Sequence, residues 1–334
     1  MFRSYGGLQA YPSRTKDPDV VDFSTGSVGL GAVAPVFGAL AHRYAMSHFG
    51  QVNSRRFVGL IGDAELDEGN VWEAILEQTV TGLENLLWIV DLNRQSLDRV
   101  VPGIRAGQLE RLFQESGWQV LEAKYGRILQ RLFERPGGAA LQRRIDEMDN
   151  EEYQALIRLP GQQLRSRLVS VDGVDDTEVA SVIQDIPDDE LPSVLSNLGG
   201  HDMEELLTLL SQVDDDERPT IIFAYTIKGW GTPIAGHPLN HSMLLTEGQI
   251  AALKETLTVP AEDEWSRFNP TSPAGRLCNE AAVRLLPDAS PPTEVEDRWF
   301  SNSVTHRSVR SADLEPHRDI DWLQSVRKSS LAVE

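Results

Sequence analysis

One cysteine, Cys278, in a chain of 334 residues excludes an intrachain disulfide and any zinc or iron–sulfur centre built on several thiolates. Metal chemistry would have to use oxygen and histidine ligands. Long apolar runs are missing as well. No stretch reaches the roughly 18–20 uncharged apolar residues of a membrane span, and no basic segment leads into an apolar signal region at the N-terminus. A cytoplasmic location with no membrane partner is the expectation. Positive charge is scarce, with 31 Lys and Arg against 51 Asp and Glu and a net charge of −20. Nucleic acid and anionic membranes are bound through phosphate neutralisation by Lys and Arg, so nucleic acid is not an expected partner either. A phosphate-bearing ligand would need a metal or backbone amides to hold it. What is present is a 40% hydrophobic fraction, ample for a packed core in one large or two ordinary domains.

The chain opens with polar, irregular sequence over residues 1–24, as if in mid-domain. From Gly29 to about Phe49 the apolar residues Val33, Val36, Phe37, Leu40, Ala41 and Tyr44 follow helical spacing, with Gly50 as a stop. Two continuous apolar runs of the buried-strand type follow, Arg56–Asp63 (RFVGLIGD) and Leu86–Asn93 (LLWIVDLN). A helix over Val71–Val80 lies between them. A short helix at Ala106–Ser116 and a strand at Trp118–Ala123 come next, and a fourth strand, Thr220–Tyr225, follows a long polar insertion at about 127–217. The insertion carries helical patterns at Arg127–Phe133, Asp149–Arg158 and Glu204–Val213, and its acidic runs Asp188–Glu190 and Asp214–Glu217 read as solvated surface. Strands alternating with helices predict an α/β fold, a parallel sheet with helices on both faces plus a helical insertion. The expected division is 1–260 for this domain and 261–334 for a C-terminal extension. That extension has a helical stretch at Ala274–Leu286 and a tail over 288–334 with no clear core pattern.

In such folds ligands lie beyond the carboxyl ends of the strands, where Asp63 and Asn93 both fall. The segment GDAELDEGN, Gly62 to Asn70, offers Asp63 to an ion, although acids in a first helical turn also serve as plain caps. A calcium loop is excluded, because the sixth position from Asp63 is Glu68 where glycine is needed and the twelfth is Ala74 where a bidentate acid is needed. One strand, one helix and one strand fit the spacing, so Asp63 and Asn93 can lie side by side. Magnesium prefers octahedral oxygen ligation with one or two carboxylates plus phosphate oxygens. Asp63, Asn93 and an oxygen of Gln95 would leave room for two diphosphate oxygens and a water.

GDAELDEGN followed by NLLWIVDLNRQSLD resembles the thiamine diphosphate motif of the transketolase-like enzymes, and within them that of the homodimeric pyruvate dehydrogenase decarboxylating component. FSTGSVGLG (Phe23–Gly31) is similar to the family's cofactor loop. LGGHD (Leu198–Asp202) and RPTIIFAYTIKGWG (Arg218–Gly231) are similar to the end of its insertion and the next strand, so the likeness covers about 1–260.

The resemblance implies a thiamine diphosphate-binding fold with Mg2+ on Asp63, Asn93 and Gln95, the last through its side-chain oxygen or its backbone carbonyl. It implies that Gly26, Ser27, Val28 and Gly29, together with Gly62, Ala64 and Glu65, lie against the cofactor. Glu68 matches an acid at a subunit interface, and Lys228 and His241 match basic residues at the active-site entrance. Read alone, Lys228, His237 and His241 are equally good as ordinary surface and loop residues. Ala64 departs from the pattern, since the family has glycine there, and a required positive φ would strain an alanine. The implied activity is decarboxylation of a 2-oxo acid and transfer of the acyl group to the lipoyl-bearing acyltransferase component. Cofactor-activating groups that the family carries on further segments are not found here. An oligomeric partner, a second copy or another chain, is therefore expected to supply the pyrimidine-binding domain. A transketolase-like ketol transferase is a second reading, weakened by the long insertion and by the lack of an arginine-rich entrance. A non-catalytic binding or regulatory relative is a third.

Overall fold

The computed structural model describes residues 10–17, 21–50, 55–96, 99–100, 106–171, 173–213, 218–260 and 266–285. The chain divides into two units, Met1–Thr258 and Val259–Glu334. The first unit begins with helix α1 (Leu30–Phe49), strand β1 (Phe57–Gly62), helix α2 (Gly69–Ile75), strand β2 (Leu86–Leu92) and the two-residue strands β3 (Gln95–Ser96) and β4 (Arg99–Val100). Helix α3 (Ala106–Glu115) and strand β5 (Gln119–Ala123) follow. The insertion runs through α4 (Arg127–Phe133), α5 (Gly138–Glu147), α6 (Asn150–Leu156) and α7 (Gly161–Val169), the hairpin β6 (Ser170–Val171) and β7 (Val174–Asp175), then α8 (Thr177–Val182), α9 (Leu191–Leu195) and α10 (Met203–Leu210). Strand β8 (Thr220–Tyr225) returns to the sheet and α11 (Glu247–Thr256) closes the unit. In the second unit the described helix is α12 (Pro273–Leu285), with Cys278 exposed on it. The 288–334 tail, residues 1–9 of the opening and the acidic run at 214–217 lie outside the described residues.

The main sheet has four strands in the order β1-β2-β8-β5, every pairing parallel. Its two faces follow from the register. Gly59 pairs with Trp88 and Trp88 with Ile221, while Ile61 pairs with Val90 and Val90 with Phe223. These side chains share one face, packed against Ala32, Val36 and Ala39 of α1, Val71 and Ile75 of α2, and Phe113 of α3. Trp88 sits at its centre, fully buried, with ring centroids 6.0 Å from Phe113 and 5.0 Å from Trp118. Gly59 makes room for it, because a Cβ there would lie 3.0 Å from the Trp88 ring. The opposite face carries Leu87, Ile222, Ala224 and Ala123 under Leu206 and Leu209 of α10. Helices thus cover both faces, as parallel sheets require.

Two expectations need correction. The helix expected over Val71–Val80 ends at Ile75; Leu76 turns out to solvent at 68% exposure, and a separate 3-10 turn, Gln78–Val80, begins where the Glu77 side chain accepts a bond from Thr79 N. The insertion is also more than a polar excursion. Leu129, Leu141, Leu164, Val179, Ile183 and Leu191 join the same continuous core as the sheet. The run Asp188–Glu190 is exposed, with Asp188 paired to Arg165 Nε at 2.6 Å.

Candidate functional site

Parallel strands put the carboxyl ends of β1, β2, β5 and β8 on one edge, and the chain leaves that edge with Asp63, Asn93, Lys124 and Thr226. Asp63 and Asn93 leave from adjacent strands, and the residue after Asn93 ties the two strand ends together, Arg94 N donating to Asp63 Oδ2 at 2.7 Å. Arg94 holds this position with φ 62°, a conformation uncommon for a residue with a Cβ and seen where surrounding structure dictates it. Gln95 N donates to Asn93 Oδ1 at 3.0 Å, and Asn93 Nδ2 lies 3.4 Å from Asp91 Oδ2. These bonds close the loop into a tight turn. The Arg94 side chain is buried. It lies over the Tyr153 ring at 5.0 Å and the Tyr225 ring at 5.9 Å, and forms no ion pair among the described residues. Burial works against its charge, while Tyr153, Tyr225 and Asp63 work in its favour.

Asp63 titrates unusually for a carboxylate. Burial raises it to about 6, opposed by the bond from Arg94 N and reinforced by the like charge of Asp91. Asp91 accepts from Thr226 Oγ1, and Thr226 N donates to Leu92 O at 3.2 Å, extending the β2–β8 pairing past the strand ends.

The glycine loop meets this edge from the side. Val28 has φ 61°, an outlier for a β-branched residue, and its carbonyl accepts from Asn70 Nδ2 at 2.8 Å. Gly29 has φ 76° and is buried, and a Cβ there would lie 2.6 Å from Val71 Cγ2 and 2.9 Å from Asn70 Oδ1. Glycine at 29 is thus required both by conformation and by space. The loop 26–29 and the GDAELDEGN segment are therefore one assembly, locked by Asn70. Gly26 is half-buried and Ser27 exposed. Glu65 turns back so that Gly62 N donates to its Oε1 at 3.3 Å, and its Oε2 comes near Gly31. Glu68 stands at the N-cap of α2 beside Gly29. Ala64 lies in the 3-10 turn Asp63–Asp67, and the positive-φ non-glycine residues among those described are Val28, Arg94 and Thr258. The backbone at 64 accepts an alanine, so the departure from glycine introduces no strain.

Lys228 lies three residues beyond β8, half-buried, with Nζ 3.2 Å from Nδ1 of exposed His241. The two belong to one loop cluster on the same sheet edge. His237 is a turn residue whose Nδ1 accepts from Leu239 N at 3.1 Å. His201 carries more structure than either. Its Nε2 accepts from Ile227 N at 2.8 Å and its ring stacks on Trp230 at 4.5 Å. Burial holds its pKa down to about 4. Sequence reasoning passed over Asn70, Asp91, Arg94, Thr226 and His201 as site residues. It likewise passed over Gln154 of α6, which bonds to both Asn93 and Gln95. Asp91 and Arg94 stand inside the motif itself, whereas Gln154 had only its place on a helix as a signal.

No group of three or more His, Cys, Asp and Glu side chains among the described residues could hold a metal ion. A cation here would rely on one carboxylate, Asp63, with amide oxygens from Asn93 and Gln95, which suits a hard ion that brings phosphate oxygens and water with it. Gln95 Oε1 fits that role, being buried and without a hydrogen-bond partner, a state that costs free energy until the oxygen is satisfied.

Residues 2–135, which hold the glycine loop, Asp63, Asn93 and Gln95, match the model of the transketolase thiamine diphosphate binding domain. Among curated proteins the chain is similar to the pyruvate dehydrogenase E1 component of Corynebacterium glutamicum, 28% identical over 277 residues, covering 81% of this chain and 30% of that protein. The Mycobacterium tuberculosis pyruvate dehydrogenase E1 component is 27% identical over 325 residues, covering 94% of this chain and 34% of its own length. That of Pseudomonas aeruginosa is 32% identical over 151 residues, covering 44% of this chain and 17% of its own length. The chain spans about a third or less of these relatives. Among solved structures, Campylobacter jejuni transketolase superimposes with a TM-score of 0.45 at 19% identity, over 84% of this chain and 34% of that one. Leishmania mexicana transketolase gives 0.47 at 18% identity, over 79% and 29%.

Proposed function

We propose that this chain forms the diphosphate- and magnesium-binding portion of a 2-oxo acid dehydrogenase decarboxylating component, acting on pyruvate or a close relative. The observation that carries the reading is the convergence of Asp63, Asn93 and Gln95 at adjacent strand ends, pinned by the Arg94 N to Asp63 bond and bordered by a glycine loop with two consecutive left-handed residues. The missing Cβ at half-buried Gly26 would allow a ligand's diphosphate close to the backbone. Asp63, Asn93 and Gln95 would hold Mg2+, which neutralises the diphosphate where a net charge of −20 gives no attraction. When bound, thiamine diphosphate supplies the electron sink for decarboxylation. Glu65 and Asn70 keep the loop and the metal turn in one geometry. Lys228 and His241, on the same edge, would provide a cation and a proton-transfer group for the carboxylate of an entering 2-oxo acid. The acyl product would pass to a lipoyl group on an acyltransferase component. The aminopyrimidine half of the cofactor would be held by another domain or a partner chain, making the working unit an oligomer.

The similarity to three pyruvate dehydrogenase E1 components favours this over ketol transfer. Calorimetric titration with thiamine diphosphate, with and without Mg2+, tests it. Binding is expected to require Mg2+ and to be lost in Asp63→Ala; equal binding by that variant contradicts the metal assignment.

A further inference from the structure

Chemistry fixes the orientation of two side-chain amides at the base of the metal turn. Gln154 sits on α6 of the insertion and is buried. Its carboxamide touches the carbonyl of Asn93, and a carbonyl can only accept, so the group facing it is Nε2, at 3.4 Å. Gln154 Oε1 must then face the other way, where it accepts from Nε2 of Gln95. With its NH2 committed in this way, Gln95 keeps Oε1 as its remaining acceptor, buried and without a partner. The preceding residue of the same helix, Tyr153, lies under the Arg94 guanidinium and anchors α6 to α9 through its hydroxyl, which donates to Leu195 O at 2.7 Å. Each of the three residues 93–95 thus rests on one turn of α6.

From this contact set we infer that Gln154 is a positioning residue for the cation site. It holds the Asn93 carbonyl and selects which end of the Gln95 amide is left to face a ligand. The inference rests on the reading of residues 63 and 93–95 as a magnesium site. It gives the helical insertion a function, that of a brace for the metal turn contributed from outside the motif. Mg2+ demands near-ideal octahedral geometry while Ca2+ tolerates a loose one, so a loosened brace weakens Mg2+ more than Ca2+.

The test uses the full chain with thiamine diphosphate in excess, titrated with Mg2+ and with Ca2+ by calorimetry, alongside thermal unfolding without metal. Gln154→Leu removes both bonds and is expected to lower Mg2+ affinity about ten- to a hundredfold, the usual cost of losing a group that orients a ligand, and to lower Ca2+ affinity less. Gln154→Glu keeps the acceptor for Gln95 Nε2 and loses the donor to Asn93, so its affinity should fall between wild type and Gln154→Leu; it carries the test alone if the leucine variant does not fold. Unchanged Mg2+ affinity in the variants, with binding abolished in Asp63→Ala, overturns the positioning role and leaves the metal site standing. An equal loss for both cations that follows the melting temperature also overturns it, as a purely structural effect. Wild-type protein that shows no Mg2+-dependent binding overturns both readings.

Discussion

Asp63 keeps its proton to about pH 6 because burial disfavours the carboxylate more than the bond from Arg94 N favours it. A proton and a cation then compete for the same oxygens. Mg2+ affinity in the presence of thiamine diphosphate is expected to fall about tenfold for each pH unit below about 6 and to level off above about 7, which calorimetry across that range measures. The stability of the metal-free protein runs the opposite way. A carboxylate whose folded pKa lies above its unfolded value stabilises the fold at low pH, and that contribution is lost as pH rises through about 6. Affinity that is flat across this range would place the cation away from Asp63. The sequence made Asp63 and Asn93 legible because each ends a continuous apolar run. Arg94 was not legible, since an arginine between two amide-bearing positions reads as solvent-facing, and what buries it, Tyr153 and Tyr225, comes from distant segments. Its positive φ is likewise a property of the assembled turn. Ala64 became interpretable once its backbone was seen in a 3-10 turn.

Secondary structure was readable where burial is continuous. Thr220–Tyr225 coincides end for end with β8, whose six residues are all buried; strands β1, β2 and β5 lie within a residue of expectation, as do helices α1 and α3 and insertion helix α4. Insertion helices α5, α7, α8 and α9 were missed, the last three for a physical reason. Helix α7 buries Leu164 and Leu168, α8 Val179 and Val182, α9 Leu191 and Leu195, and two buried positions do not establish a 3.6-residue period that needs a window of about 11–18 residues. The aromatic cluster behind the sheet locks strands to helices, so the metal turn depends on it at second hand. Trp88→Ala is expected to cost about 3–5 kcal/mol in chemical denaturation, through lost burial and a cavity between Phe113 and Trp118. A cost under about 1 kcal/mol would mean that the cluster is not the packing centre.

At the scale of the molecule, the sheet is unevenly covered. On the face under α10 the register continues outward from Leu87 and Ile89 to Val58 and Leu60 of β1, which remain 52% and 74% exposed. Parallel sheets seldom leave such positions open, and Val28, Leu30, Phe37 and Leu76 add further exposed apolar surface. Leu60→Lys is expected to change unfolding free energy by less than about 0.5 kcal/mol while reducing binding of a hydrophobic dye and any self-association seen by sedimentation; a large loss of stability would mean that Leu60 belongs to the chain's own core. No helix among the described residues is long and apolar enough to cross a membrane. The central claim is that one cation and a diphosphate meet at Asp63, Asn93 and Gln95. Anomalous diffraction from crystals grown with thiamine diphosphate and Mn2+ in place of Mg2+ tests it most directly. A single manganese peak within ligand distance of an oxygen of each of these three residues, with diphosphate density against the 26–29 loop, is the predicted result; cofactor density elsewhere, or manganese away from Asp63, would contradict it.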